Sequence, residues 1–121
     1  MRTLAEQLDS ALTSWGELGE VALDTGLDYG DGEHVRITLR KRGRRLVFSD
    51  EGRAVRKSGV SGQDWLEVAE RTVALEGMNV NRMGAVFVPA VLRPDRDFAQ
   101  LAQRLAETSL AVYAELLELA D

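Results

Sequence analysis

Basic residues that alternate with apolar ones give this chain its clearest chemical feature. Residues 36–57 hold nine of the fifteen Lys and Arg residues and only two acidic ones, so their formal charge is +7, whereas the rest of the chain carries −12. Arginine forks bind carboxylates, phosphates and guanine edges. A charge separation of this kind steers a charged partner onto one face of a protein. The residues that we expect to bind a partner are Arg36, Arg40, Lys41, Arg42, Arg44 and Arg45.

Three interpretations of these basic residues are open. They dock on an acidic protein, they bind nucleic acid, or they are solvated charges that keep a sheet edge from pairing with other chains. The sequence pI is about 4.9, and residues 36–45 contain no aromatic side chain on which a base could stack. Nucleic-acid-binding domains are usually basic, so these observations favour the protein partner over nucleic acid.

The residue types needed for nucleophilic catalysis are sparse. His34 is the only histidine, and the chain has no cysteine. A serine triad would need a nucleophile beside that histidine, but Ser49, Ser58 and Ser61 lie at predicted helix caps and no G-x-S-x-G turn is present. We therefore expect a protein that is not an enzyme.

An acidic, glycine-rich segment offers oxygen atoms that could bind a metal ion. Its carboxylates are Asp24, Asp28, Asp31 and Glu33. The calcium-loop spacing is absent, and Asp and Gly are also ordinary turn formers. The glycines do not open a helix after a buried strand, so they do not form a phosphate-binding loop. We expect neither a metal ion nor a cofactor.

The elements that must position these residues begin with a helix. Thr3 and Glu6 have the spacing of a capping box, and an apolar stripe from Leu4 to Trp15 follows at helical spacing. Gly16 and Gly19 indicate its end. A short strand is predicted from Val21 to Asp28, followed by the acidic turn.

A basic hairpin comes next. Val35, Ile37 and Leu39 alternate with polar residues, which is typical of a strand with one buried face. The chain turns at residues 41–44, and Leu46 and Phe48 mark the returning strand.

The second half of the chain shows three helices and one more hairpin. Ser49 or Asp50 is expected to cap a short helix through Lys57, and residues 61–64 form a capping box for the next helix, which Gly77 closes. A hairpin follows over 78–90, and a long helix opens at 94–97 and runs to about Ala120. The predicted order is α-β-β-β-α-α-β-β-α, an α+β fold with an antiparallel sheet and a long amphipathic C-terminal helix.

The last helix has two apolar strips. One, from Phe98 to Ala120, faces the predicted core; the other contains Leu110, Tyr113, Ala114 and Leu117. A helix that is apolar on two sides either lies between two layers of its own domain or contacts another chain. A homodimer or a partner contact through this second strip is the hypothesis that follows.

Length and composition bound the class of protein. A chain of 121 residues fits one domain, 1–121, that can fold without a metal or a disulfide. The longest apolar run is eight residues, Ala85 to Leu92, too short for a membrane helix, and residues 1–15 lack the apolar core of a signal peptide. We expect a cytoplasmic protein with no membrane partner.

The segment Leu46-Val47-Phe48-Ser49-Asp50-Glu51-Gly52 resembles a motif of the bacterial and phage domain-of-unknown-function family 1828. That family pairs two strands ending in Leu-x-x-Ser/Thr-Asp-x-Gly with a short helix and a glycine, here Gly59. The resemblance covers residues 20–118 and departs from the family at 24–27, where a Thr-Pro-Phe run is common. It implies an α+β domain of mobile elements, with no activity to carry over. At the level of fold alone, the order of elements is also similar to that of type III secretion chaperones.

Together these observations predict a protein-binding domain, of the kind found as an inhibitor or accessory protein in phage, mobile-element or defence systems. A nucleic-acid-associated regulator that uses the basic hairpin 36–45 is the alternative, and a secretion chaperone or immunity-type protein is the third.

Overall fold

The computed structural model describes residues 2–60, 62 and 64–120. In chain order the elements are α1 (Leu4–Ser14), β1 (Leu18–Asp28), β2 (His34–Arg42), β3 (Arg45–Ser49), α2 (Arg53–Ser58), α3 (Asp64–Leu75), β4 (Asn79–Val80), β5 (Val86–Val91) and α4 (Phe98–Ala120). This order confirms the predicted α+β architecture.

Five antiparallel strands form one sheet in the order β1-β2-β3-β5-β4. Alternate residues of the central strands, among them Ile37, Leu39 and Phe48, are fully buried, and α4 covers them with Leu105 and Leu116. Because strand side chains alternate between faces, the residues between them point to the opposite side. Within the part of the chain that the structure describes, no helix packs over that opposite side, which is called the open face here.

Helix α1 begins as the capping box predicts. The Thr3 hydroxyl accepts from the Glu6 N–H at 3.1 Å, and the Thr3 N–H donates to the Glu6 carboxylate. The helix ends at Ser14, and Trp15 is its C-cap residue. Trp15 then packs its ring where a side chain at position 19 would lie, so that only glycine fits at Gly19.

Strand β1 is longer than predicted, starting at Leu18 rather than Val21. Its pairing with β2 runs without interruption from Leu18 to Asp24 and then shifts register before Asp28. Gly26, at φ +77°, lies within this irregularity. The sequence pattern does not reveal the first residues of β1, because the inward-facing position there is Gly19, which adds no apolar side chain to the alternation.

The start of α2 differs from the prediction that Ser49 or Asp50 caps it. The N-cap residue is Gly52, and Asp50 is fully buried two residues earlier. Glu51 and Gly52 both adopt left-handed backbone conformations, with φ +58° and +77°, so the chain turns sharply between β3 and α2. The turn leaves the Asp50 carboxylate inside the domain, where it accepts from the N–H of the N-cap residue Gly52.

The remaining helix ends follow their signals. Gly77, at φ +71°, closes α3, with the Gly77 and Met78 N–H groups donating to the carbonyls of Ala74 and Val73. The capping box predicted for residues 61–64 includes Ser61 and Gln63, which lie outside the described residues. Asp97 caps α4 by accepting from the Gln100 N–H at 3.0 Å. Among the described residues, no helix is long and apolar enough to cross a membrane.

Candidate functional site

The hairpin formed by β2 and β3 carries four of the predicted basic residues onto the open face: Arg36, Arg40, Arg42 and Arg45. Lys41 lies on the same face as Leu46, which is the core side, and Arg44 lies in the turn. At the hairpin end of the sheet, the register places one residue from each of four strands side by side: Leu18 beside Arg42, Arg42 beside Arg45, and Arg45 beside Val91. We call these four residues the arginine row. Leu18 is 70% exposed and Val91 is 50% exposed, so two guanidinium groups lie between two exposed aliphatic side chains.

Arg40 lies in the next row and is neutralised within the chain. Its Nε donates to Glu20 Oε1 at 2.6 Å, and its Nη1 donates to Glu51 Oε1 at 2.5 Å. The hydrogen bond with Glu51, followed by the one with Glu20, raises the pKa of Arg40 above its ordinary value despite some desolvation. Two carboxylates around one guanidinium leave little positive charge for a partner.

Three more of the predicted basic residues lie next to carboxylate or carbonyl groups of the chain. Arg36 pairs in register with Asp24, and its charge helps to lower the pKa of that carboxyl group. Lys41 Nζ donates to the Gly16 carbonyl, and Arg44 Nη2 donates to the Leu92 carbonyl at 3.0 Å.

Arg42 and Arg45 are neighbours across the hairpin. Among residues 2–60, 62 and 64–120, neither has a carboxylate within 4.0 Å or makes a side-chain hydrogen bond. A shallow depression of about 630 Å³ lies over this part of the face, lined by Leu18, Arg40, Arg42, Arg45 and Val47 among others. Arg36 makes no such bond either, but it lies beside Asp24, so of the six predicted residues Arg42 and Arg45 form the adjacent pair of like charges.

The second apolar strip of α4 is divided by the structure. Leu110 and Tyr113 are half-buried against the core, and the Tyr113 ring meets Tyr29 edge-on at 5.3 Å between centroids. Ala114 and Leu117 are exposed, Leu117 at 39%. The surface left on this strip for another chain is thus the pair nearer the C-terminus.

The acidic turn between β1 and β2 uses its carboxylates internally. Asp28 Oδ1 accepts from the N–H groups of Gly30 and Gly32 at 2.6 and 3.0 Å, which lowers the pKa of Asp28. Lys57 Nζ bridges Asp31 at 2.5 Å and Glu33 at 3.0 Å. These bonds tie the turn to α2, and within the described residues no group of three or more candidate ligands is placed to hold a metal ion.

His34 has a single carboxylate partner. Its Nδ1 lies 3.0 Å from Asp24 Oδ1, and both side chains are about one-third exposed. Asp24 also accepts from the Gly26 N–H, and this bond contributes most to the lowered pKa of Asp24. Since no hydroxyl nucleophile of the described residues bonds to His34, the pair orients the start of β2.

Sequence reasoning missed a buried polar network centred on Asp50. Its Oδ1 accepts from the N–H groups of Gly52 and Val86, both at 2.8 Å, and its Oδ2 accepts from Ser109 Oγ at 2.7 Å. Ser109 Oγ also lies 3.1 Å from the Tyr29 hydroxyl. Burial raises the pKa of Asp50, and the hydrogen bonds offset part of that rise.

The Asp50 network contains residue types found in catalytic sites, but its hydrogen bonds hold several elements of the fold together. Asp50 and Ser109 are completely buried, so a substrate has no access to either. The bonds connect β3, α2, β5 and α4 at one point. The Ser-Asp-x-Gly sequence step was the signal for it, because an acidic residue directly after a buried strand needs partners inside the fold.

A scan against known protein families, a search of curated proteins and a search of solved structures each return no match to this chain.

Proposed function

We propose that this chain is a non-enzymatic protein-binding domain that docks the open face of its sheet on an acidic partner. The observation that carries the proposal is the arginine row, in which Arg42 and Arg45 lie side by side without a counter-charge. Like charges directly opposite each other on neighbouring strands destabilise a sheet. A partner carboxylate placed between the two guanidinium groups would remove that repulsion.

The two apolar residues at the ends of the arginine row indicate what kind of surface the partner presents. Leu18 and Val91 expose apolar surface whose burial stabilises a complex by roughly 25 cal/mol per Å² before the costs of association. Arginine forks bind carboxylates with two parallel hydrogen bonds, which fixes the orientation of the partner. The surface that fits is an acidic side chain flanked by apolar ones.

Charge elsewhere on the molecule argues against nucleic acid. Arg40 is neutralised by two carboxylates, and residues outside 36–57 carry a formal charge of −12, which repels a phosphate backbone. The nucleic-acid regulator is therefore the alternative outcome of the test. An inhibitor or accessory role in a mobile element is the biological setting that we propose from the family resemblance.

A peptide-display selection on the immobilised domain tests this function. We expect enrichment of peptides of about twelve residues with Asp or Glu between apolar residues, because that pattern matches the arginine row. Substituting Arg42→Glu and Arg45→Glu together should weaken the selected peptides at least tenfold, which corresponds to about 1.4 kcal/mol.

The matched control is the pair Arg93→Glu and Arg96→Glu, which makes the same charge change at exposed positions before α4. It should leave peptide affinity within about twofold of the native chain, since it alters only long-range attraction. Selection of peptides that bind the two variants equally would contradict the proposal. Sub-micromolar binding of a duplex of about 20 base pairs at ~150 mM salt would favour the nucleic-acid alternative.

A further inference from the structure

Strand β1 forms one edge of the sheet, and its backbone faces outward at alternate residues. The Glu17 carbonyl accepts from the Gly43 N–H at 2.7 Å, which shows that odd-numbered residues at this end bond toward β2. Asp24 instead bonds away from the sheet, since its N–H and C=O both pair with the Gln7 side chain at 2.9 Å. Antiparallel pairing alternates between these two kinds of residue. The N–H and C=O groups of Leu18, Glu20 and Ala22 therefore point out of the edge.

No loop or side chain of the described residues bonds to those outward groups. Such a row of unpaired backbone donors and acceptors is a template for another strand. Natural sheets usually protect a long edge with proline or a covering element, but Leu18 to Ala22 contains no proline and follows a regular register.

Beside the edge runs a groove of about 500 Å³ between α1 and β1. Ser10, Ser14 and Trp15 line it from the helix, and Glu20 and Val21 line it from the strand. Because the serine side chains are small, they leave the groove open on the side of α1. An extended chain can lie in the groove parallel to the strand axis.

The Gln7 side chain shows that the edge accepts a peptide-like partner. Its amide group donates to the Asp24 carbonyl and accepts from the Asp24 N–H, as the backbone of a neighbouring strand would. We propose that an extended segment of a partner protein continues this pairing as a sixth strand along Leu18, Glu20 and Ala22. The inference rests on the proposed function in taking a protein as the partner, but it uses the backbone of the sheet edge rather than the side chains of Arg42 and Arg45.

The surroundings of the edge define the side chains that such a segment carries. On the groove side, Trp15 and Val21 offer apolar contact, so the segment presents an apolar residue there. On the open-face side, its residues lie next to Leu18, Glu20 and Ala22, where small, neutral or basic side chains fit better than acidic ones. The segment is thus an alternating apolar and non-acidic strand, of the kind that β-strand addition recognises.

A second copy of this chain fits the edge less well. In the antiparallel register that pairs all three outward residues with those of a twin, Glu20 lies opposite the Glu20 of the other copy. Like charges at that position are unfavourable, and each copy also carries a net charge of −5. This charge argument favours a partner segment of different sequence.

Ala22→Pro is the variant that tests the edge. Proline removes the outward N–H and is tolerated on edge strands whose N–H faces solvent, so the fold should persist. Ala22→Ser is the matched control, because it changes the side chain and keeps the N–H. Circular dichroism and a thermal melt establish that both variants are folded.

The probe is a display library of peptides of about ten residues, selected on the native domain and counter-selected on Ala22→Pro. We expect peptides with alternating apolar residues that bind Ala22→Pro at least tenfold more weakly and Ala22→Ser almost as well. Hydrogen exchange should show slower exchange of the Leu18, Glu20 and Ala22 amides in the presence of the selected peptide, because strand pairing protects them.

Three results would overturn the proposal: no peptide that discriminates between the native chain and Ala22→Pro, a bound peptide that leaves the three amides unprotected, or protection that rises with protein concentration alone. The last would assign the edge to a second copy. Arg42→Glu with Arg45→Glu should leave these peptides bound, so failure of the edge and failure of the arginine row are separate outcomes.

Discussion

The Asp50 carboxylate joins elements that are distant in sequence, and each of its bonds reaches a different one. Gly52 precedes α2, Val86 opens β5 and Ser109 lies in the middle of α4. Every buried side-chain nitrogen and oxygen of the described residues has a hydrogen-bond partner. Removing the acceptor at the centre of this network would leave its donors unsatisfied without bringing water to them.

Asp50→Ala should lower the free energy of unfolding by about 3–5 kcal/mol, since two buried N–H groups and a hydroxyl each lose an acceptor. Asp50→Asn should cost less, because its Oδ1 can still accept from Gly52 and Val86 while the Ser109 hydroxyl rotates to accept from the amide. Urea unfolding followed by circular dichroism measures both. Equal stability of Asp50→Ala and the native chain would show that the network does not support the fold.

Gly52 is required both by backbone conformation and by space. A Cβ at this position, where φ is +77°, would lie 2.9 Å from Arg56 Nη1 and 3.3 Å from the Met83 carbonyl. Gly26 has the same φ, but nothing lies within 4 Å of its would-be Cβ. The two glycines therefore separate the cost of a left-handed backbone from the cost of a clash.

Gly26→Ala should destabilise the protein by about 1–2 kcal/mol, the cost of placing a side chain in the left-handed region. Gly52→Ala should cost more by roughly another 1 kcal/mol because the Arg56 side chain and the backbone at Met83 must also move. Chemical denaturation of both variants gives the difference. If the two variants are equally stable, the close approach at Gly52 has no energetic consequence.

Sequence periodicity predicted the helices and strands whose inward positions hold apolar side chains. Val35, Ile37 and Leu39 identified β2, and Thr3 with Glu6 located the start of α1. The first residues of β1 were missed because the inward position is Gly19, whose missing side chain makes room for the Trp15 ring. Contacts between distant segments, such as this one, leave no periodic trace in the sequence.

The sequence predicted which kind of residue forms the candidate site, but not which of those residues have free charge. The sequence marked six basic residues on a hairpin, and all six lie there. Which of them have free charge depends on Glu20 and Glu51, whose positions opposite Arg40 follow only from the strand register and the turn after β3. The edge of β1 was equally invisible, because strand order decides which strand is at an edge.

The β1–β2 turn should make stability depend on pH. The pKa values of Asp28 and Asp31 are lowered, for Asp28 by the Gly30 and Gly32 N–H groups and for Asp31 first by Lys57. A carboxyl group whose folded pKa lies below its unfolded value of about 3.9 stabilises the fold above that pH, and the effect is lost as pH falls through the folded pKa.

Asp28→Asn should therefore destabilise the protein at pH 6, and the effect should shrink as pH falls through the lowered pKa of Asp28, where the native carboxyl group becomes protonated. Urea unfolding across that pH range gives the difference at each pH. Asp95→Asn, at an exposed loop position, is the charge-matched control. A destabilisation by Asp28→Asn that is independent of pH would mean that the geometry of the hydrogen bonds from Gly30 and Gly32, rather than the negative charge of Asp28, stabilises the fold.

Helix α4 provides the prediction about assembly. If a homodimer forms through its second strip, it uses Ala114 and Leu117, since Leu110 and Tyr113 pack half-buried on their own domain. Leu117→Glu should then convert a dimer into a monomer without loss of fold, because a charge would enter an apolar contact. Light scattering after size exclusion at tens of micromolar measures this, and a native monomer at that concentration would contradict the dimer.

Charge across the whole molecule separates the open face from the helical side. The exposed acidic residues of α3 and α4 are Asp64, Glu67, Glu70, Glu107, Glu115 and Glu118, and the exposed Glu76 directly follows α3. Many of the basic residues outside the arginine row are bound to carboxylates or carbonyls, among them Arg40 and Lys57. The acidic residues of α3 and α4 and the adjacent pair Arg42 and Arg45 therefore lie on opposite sides of the sheet.

That arrangement predicts how binding responds to salt. For an acidic peptide selected on the arginine row, the association rate should fall as salt rises from about 50 to 500 mM, because exposed charges act on encounter more than on residence. In the variant with Arg42→Glu and Arg45→Glu the rate should be slow and should no longer fall as salt rises. Stopped-flow fluorescence measures both rates, with Arg93→Glu and Arg96→Glu as the control.

A nucleic-acid duplex that contacts only Arg42 and Arg45 should show a slope of about −2 in log K against log salt and weak binding near 150 mM. A slope of about −4 to −5 with sub-micromolar affinity would instead require several more free cations than Arg42 and Arg45, and would identify the open face as a nucleic-acid surface.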